Sequence, residues 1–283
     1  MRRALFLVPA AGALALAVAG LRTPPVAADG TSPPHLERVA VLTSDLRQQT
    51  LDGYTVNAEG KKLNDAVSDR LIHWKQDGWA FAENRTLCSQ HISVVMKATY
   101  GWTDSQYGAK VGSSWPTAEG YYNAIRDGRG FTKINTHWEW APGDVIAMSY
   151  KDDPNSGYPG TTGHCSVLNC VGPKIQYTFS NGTTVWFRDI EIFDSTSAVH
   201  SLDTRIFLAG ELGSGSAYTE WKGAGRAWMR VYVDAADNLA GYTWSMTGNK
   251  QQAPGTPSSW TYYSNNFKSE ALRHVNVGRI QAP

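Results

Sequence analysis

The stretch Thr86-Leu87-Cys88-Ser89-Gln90-His91-Ile92-Ser93-Val94-Val95-Met96-Lys97 decides how the rest of the chain is read. Leu87, His91, Val94 and Val95 recur at helical spacing, and Ile92 and Met96 widen the apolar side. Thr86 is the expected N-cap, which puts Cys88 in the first turn. Backbone N–H groups point outward there and carry partial positive charge. A thiol so placed has its thiolate stabilised, as a nucleophile requires. The competing reading is an inert core thiol, since free cysteine is among the most buried residue types.

A cysteine nucleophile needs a base within reach, and the base needs an orienting partner. His164 opens the apolar stretch Gly163-His164-Cys165-Ser166-Val167-Leu168 after a Gly-rich loop, so a sheet would hold it at its rim. Standing alone it would read as a surface histidine at a strand edge. His91 lies one helical turn after Cys88, but its ring covers the preceding turn. His73, His137 and His274 lie in segments with no partner pattern, and His35 has no assigned role. Asp194, expected at a strand end, can hold the imidazole, or it can initiate a turn by bonding its own backbone. His200 and Asp203 follow in a polar loop, as a second acid/base pair or as packing over a cleft.

Outward from this group, the first 130 residues read as helical. Leu36 to Gln49 and Asn64 to Gln76 have apolar residues at helical intervals. Thr117 caps a further short helix containing Tyr122 and Ile125. Strands follow: Val145 to Met148, Cys165 to Val171, and a hairpin of Ile175 to Phe179 and Thr184 to Ile192 about Asn181-Gly182. A second hairpin is expected from Arg226 to Val233 and Tyr242 to Met246, with a closing strand at Val275 to Ile280. Helices first, strands later and no βαβ alternation predict an α+β fold with an antiparallel sheet.

The N-terminus has its own pattern. A basic Met1-Arg2-Arg3, an apolar Ala4 to Leu21 and the small residues Val26-Ala27-Ala28 predict a secretory signal peptide over 1–28. Residues 29–59 are expected to be an N-terminal extension and 60–283 the functional domain. Cleavage would remove three of the 26 basic residues and none of the 25 acidic ones, turning the formal balance from +1 to −2. That gives no electrostatic case for nucleic acid or an anionic membrane as partner. No later segment is apolar enough to span a bilayer, so no stable membrane insertion is expected after cleavage, and a monomer is expected. Three cysteines in an oxidising compartment leave one thiol over. Cys165 and Cys170 are an odd number apart in one strand, on opposite faces, which argues against a disulfide between them. No zinc spacing, phosphate loop or dinucleotide fingerprint appears, so no metal and no cofactor is expected. Asp152-Asp153 reads as a solvated loop.

Thr86-Leu87-Cys88-Ser89, Trp140-Ala141-Pro142-Gly143-Asp144-Val145-Ile146-Ala147 and Gly163-His164-Cys165-Ser166-Val167-Leu168 together resemble the papain-like cysteine peptidases of the NlpC/P60 type. Those enzymes have a Cys-Ser pair at a helix start, a Pro-Gly-Asp turn into a strand, and a histidine opening the next strand. The resemblance covers about Trp79 to Asp194. Beyond it, Asp194-Ser195-Thr196, His200, Asp203-Thr204-Arg205, Gly225-Arg226 and Arg230-Val231-Tyr232 look similar to secreted bacterial relatives. Leu87 and Gln90 stand where the family carries Asp and Gly, and Asp194 is 30 positions after His164 rather than about a dozen.

The resemblance implies a papain-like fold, with Cys88 as nucleophile and His164 as base. Asp194 is our choice of orienting residue. Asn84 is expected beside the oxyanion, and Trp79, Trp115, Trp140 and His200 along the cleft. The expected activity is hydrolysis of an amide bond in peptidoglycan or another peptide substrate outside the cell. A non-catalytic cell-wall or glycan-binding module and a cysteine-dependent acyltransferase are the alternatives.

Overall fold

A computed structural model describes residues 32–179, 182–208, 210–212, 218–246 and 267–282. The proposed signal peptide, Asn181 and most of the aromatic stretch 249–268 lie outside the described residues. The chain is α+β. Its helices are α1 (Pro34–Leu51), α2 (Cys88–Tyr100), α3 (Asp104–Val111) and α4 (Ala118–Arg126). A small sheet joins β1 (Asn64–Asp65), β2 (Leu71–His73) and β3 (Glu83–Arg85). The remaining strands are β4 (Phe131–Ile134), β5 (Val145–Ser149), β6 (Gly163–Val171), β7 (Ile175–Thr178), β8 (Thr184–Thr196), β9 (Ile206–Leu208), β10 (Tyr218–Glu220), β11 (Gly223–Val233), β12 (Leu239–Thr243), β13 (Lys268–Ser269) and β14 (His274–Ile280). Nine of them form one sheet in the order β13-β12-β11-β8-β6-β5-β14-β4, with β7 paired to β8. Its described pairings are all antiparallel.

The sheet is apolar on both faces. One face packs Val145, Ala147, Cys165, Val167 and Phe193 against Ile92, Met96, Tyr121 and Ile125 of the helices. The other gathers Ile146, Met148, Leu168, Ile190, Ile192, Met229 and Tyr242. These alternate with the first set along each strand, as a pleated strand requires. The closing strand β14 lies between β5 and β4, so the C-terminal segment completes the sheet.

Two expectations need correction, one is refined, and one helix was not foreseen. Asn64 to Gln76 is not a helix: it holds β1, β2 and a short 3-10 turn at Lys75–Asp77. Arg70 in the left-handed region (φ 59°) interrupts helical backbone there, and the Asn64 amide donates to Ala224 O rather than facing solvent. From residue 32 on, the expected N-terminal extension packs on the rest of the domain. It carries α1, whose Leu36, Val39, Leu42 and Leu46 are buried in the cores shared with α2. Asp194 lies near a strand end, as expected, although β8 runs on to Thr196 and pairs Asp194 with Gly225. Finally, α3 was not expected, although Thr103 caps it in a Thr-x-x-Gln capping box with Gln106.

Candidate active site

Helix α2 begins at Cys88, but its N-cap is Leu87 in extended conformation, not Thr86. Thr86 is buried and its hydroxyl donates to Asn84 Oδ1 at 2.7 Å. The Gln90 side-chain oxygen accepts from Leu87 N at 3.2 Å, an orphan donor of the helix start. Cys88 is thus half-buried at the first position of α2.

Asn84 fixes where that helix starts. Its amide donates to Ser195 Oγ at 3.1 Å and Asn64 Oδ1 at 3.2 Å, and Ser195 Oγ donates to Thr86 O at 2.6 Å. The residue next to Asp194 is therefore tied to the residue two before Cys88. His91 Nδ1 reaches Asn84 Oδ1 at 3.1 Å, and burial pushes His91 down to about 4. His91 is a neutral brace, not the base.

The pairing of Val167 with Phe193 sets the start of β6 beside the end of β8. His164 Nε2 there donates to Asp194 Oδ2 at 2.8 Å. Cys88 lies on the other side of the imidazole, close enough for thiol and ring to shift each other's protonation. Gly163 precedes it at φ 151°, where a Cβ would come within 1.8 Å of Met148 O. Only glycine lets the strand start so close to β5.

Asp194 carries more than one partner. His200 Nε2 donates to the same Oδ2 at 2.9 Å, and Arg205 pairs with Oδ1 at 2.9 Å. Arg205, 2% exposed, is held in turn by Asp203 through Nε at 2.7 Å and Nη2 at 2.6 Å. Gly225 makes room for it, since a Cβ there would lie 2.5 Å from Arg205 Nε. The Trp244 ring closes the group, stacked on His200 and edge-on to His164, each at 4.9 Å between centroids.

The charges follow from these contacts. Burial pushes the Asp194 carboxyl up, but the charges of Arg205 and His200 and the hydrogen bonds of both histidines outweigh it and hold it well below the usual range. Burial opposes charge on His164, yet Cys88 and Asp194 together raise it to about 10. Burial also works against the Cys88 thiolate. The His164 charge and hydrogen bond and the Cys165 N–H prevail, so the thiol lies below its ordinary value. The favoured state is a thiolate–imidazolium pair backed by an ionised aspartate. Cys165 is raised well above the ordinary thiol value, and Cys170 is pushed up to about 11, both chiefly by burial. All three cysteines are free.

Cys88, His164 and His200 line a cleft of about 720 Å³ with Trp115, Tyr150 and Trp244. Of the expected cleft residues, Trp115 and His200 are there. Asn84 is fully buried in the brace described above and cannot face an oxyanion. Trp79 stacks on His73 at 3.5 Å and is exposed elsewhere, and Trp140 packs on the far core. Arg205 and Trp244 were not singled out from sequence. Asp203-Thr204-Arg205 was visible as a stretch, but nothing local said that its arginine turns inward. Among the described residues, His164, Asp194 and His200 also offer ligand atoms within 4.8 Å of one another. Asp194 there is already matched by Arg205, and the Nε2 of each imidazole is directed at it, so the group reads as a proton-holding network.

The chain is similar to Uncharacterized protein R653 of Acanthamoeba polyphaga mimivirus. The two are 24% identical over 184 residues, covering 60% of this chain and 75% of that one. No protein-family model and no solved structure matches the chain.

Proposed function

We propose that the chain is an exported cysteine hydrolase of papain-like, NlpC/P60-type fold that cleaves an amide bond. The observation that carries this reading is the line Cys88–His164–Asp194, in which the histidine donates to the aspartate on one side and meets the thiol on the other, at the floor of an open cleft. Nucleophile, base and orienter are in the order that acyl transfer needs.

In this mechanism Cys88 Sγ attacks the scissile carbonyl carbon. The developing oxyanion meets the backbone N–H groups of the first turn of α2, which have no intrahelical partner. His164 gives its proton to the leaving amine nitrogen as the C–N bond breaks, and an acyl thioester remains on Cys88. Water then attacks the thioester. His164 takes a proton from that water, the C–S bond breaks, and the carboxylic acid leaves. Asp194 holds the imidazole through Nε2 and stabilises its charged form throughout.

We further propose cell-wall peptide as the substrate. The signal-peptide pattern and the NlpC/P60 resemblance support that reading. No helix among the described residues is long and apolar enough to cross a membrane. Incubating the purified protein with peptidoglycan and weighing the fragments tests the whole proposal. New amine and carboxyl ends should appear with wild type and not with Cys88→Ala. Release of no fragment, with the glycan bound equally by both, would favour a binding module instead.

A further inference from the structure

The cleft's far rim is built differently from its catalytic floor. Among the described residues lining it, there is no aspartate and no glutamate, but there is one arginine, Arg70. Arg70 holds φ 59°, a conformation that costs a non-glycine residue energy and that clusters at functional sites. Its guanidinium lies 4.5 Å from the centre of the Trp115 ring, another cleft residue. Stacking of this kind orients a guanidinium without using its hydrogen-bond donors.

The acids nearest Arg70 are hydrogen-bonded to other groups, although its charge also reaches Asp104. Asp69, its neighbour in sequence, accepts from Arg85 Nε at 2.7 Å. Asp104 accepts from Lys97 Nζ at 2.7 Å and from Trp115 Nε1 at 3.1 Å. Lys97 also lies over the Trp115 ring, at 3.3 Å, but its charge is matched by Asp104. Arg70 makes no ion pair within 4 Å among the described residues. An exposed guanidinium with no ion-pair partner among the described residues therefore borders a cleft whose lining holds no carboxylate.

We propose that Arg70, set by Trp115, is the subsite that anchors a carboxylate of the substrate, so that the cleft selects anionic peptides. Guanidinium and carboxylate match as a bidentate pair, which gives direction as well as charge. The carboxylate could be a peptide's C-terminus or an acidic side chain. The inference takes from the preceding subsection that this cleft is where substrate lies.

Calorimetric binding to Cys88→Ala protein tests it, with N-acetylated tri-alanine in three forms. One carries a free C-terminal carboxylate, one a C-terminal amide, and one a C-terminal amide with glutamate in the middle position. At least one carboxylate form should bind about tenfold tighter than the neutral amide, the size expected of one charge-assisted pair. Whichever it is names the source. Adding Arg70→Gln should erase the preference, and Arg70→Lys should restore only part of it. Arg70→Gly suits the left-handed backbone, so it should fold and still lack the preference. Equal binding of all three peptides, or a preference that survives Arg70→Gln, overturns the proposal. The readout is occupancy, not turnover. A carboxylate preference in a protein whose Cys88 proves unreactive would sink the hydrolase and leave this subsite standing.

Discussion

Strand β8 carries two buried aspartates five residues apart, Asp189 and Asp194, and each meets a buried arginine. Their odd separation in a regular strand puts them on opposite faces of the sheet. Asp189 sits directly across from Arg230 and takes Nε at 2.7 Å and Nη2 at 3.0 Å, a plain two-pronged pair. Burial still pushes its carboxyl above the usual range. Asp194 has one arginine too, but that arginine is shared with Asp203, and two imidazoles are added at its other oxygen. Its carboxyl is held well below the usual range. The same residue type on the same strand thus serves two ends. One carboxylate holds two strands together. The other is kept charged by more donors than packing requires, and that fixed charge is what an imidazolium beside a thiolate needs.

Substituting each aspartate in turn is the sharpest way to break this contrast. Asp194→Asn keeps the shape and removes the charge, and kcat should fall by up to about four orders of magnitude. Near-normal kcat on the identified substrate would remove Asp194 from the mechanism. Asp189→Asn should do the reverse. It leaves Arg230 as an unmatched buried charge, which costs about 3 kcal/mol of stability. Denaturant titration should show that loss while kcat per folded molecule stays within about twofold of wild type, as expected for a site away from the cleft.

His200→Ala divides the labour within the Asp194 group. His164 keeps its own bond to Oδ2, so kcat should drop by about tenfold, the worth of one hydrogen bond to a charged group. Abolished turnover in a folded protein would make His200, not Asp194, the decisive partner.

The smallest effect is on pH dependence, and its sign differs for the two residues. Asp194 is depressed on folding. Its contribution is present above the unfolded value of about 3.9 and is lost as pH falls through its folded value. Asp189 is raised on folding, so its contribution weakens as pH rises from about 3.9 toward its folded value. Stability curves minus those of Asp194→Asn and Asp189→Asn should slope in opposite directions in these windows. Parallel slopes would mean that the two carboxylates are not differently charged.

What sequence could and could not show follows the same division. The Cys88 helix, the His164 strand and the β7–β8 hairpin were legible because each is signalled by residues next to one another. Asp194 was legible as a carboxylate near a strand end. Its surroundings were not, because Arg205 reaches it from a loop and the site is closed by Trp244 from β12's far end. Only sheet pairing brings those together. Asn84 was expected at an oxyanion because it precedes the cysteine by four. The structure uses its amide to tie β3 to β8 instead. The segment after Asn64 has helical periodicity in Val67, Leu71 and Trp74, yet tertiary pairing with β3 outweighs it. The Arg70 conformation carries no sequence signal, since arginine is not a residue that favours φ above zero.

The central claim is that Cys88 is held as a thiolate by His164, and the other two cysteines supply references within the same molecule. The direct measurement is the rate of alkylation of each cysteine by iodoacetamide from acid to alkaline pH, read by peptide mass. Cys88 should titrate below the ordinary thiol value of about 8.5. Cys170 should titrate near 11, and Cys165 should stay unlabelled until the fold is lost. His164→Ala should carry the Cys88 profile upward. A Cys88 that titrates with Cys170, or whose profile ignores the loss of His164, would contradict the account.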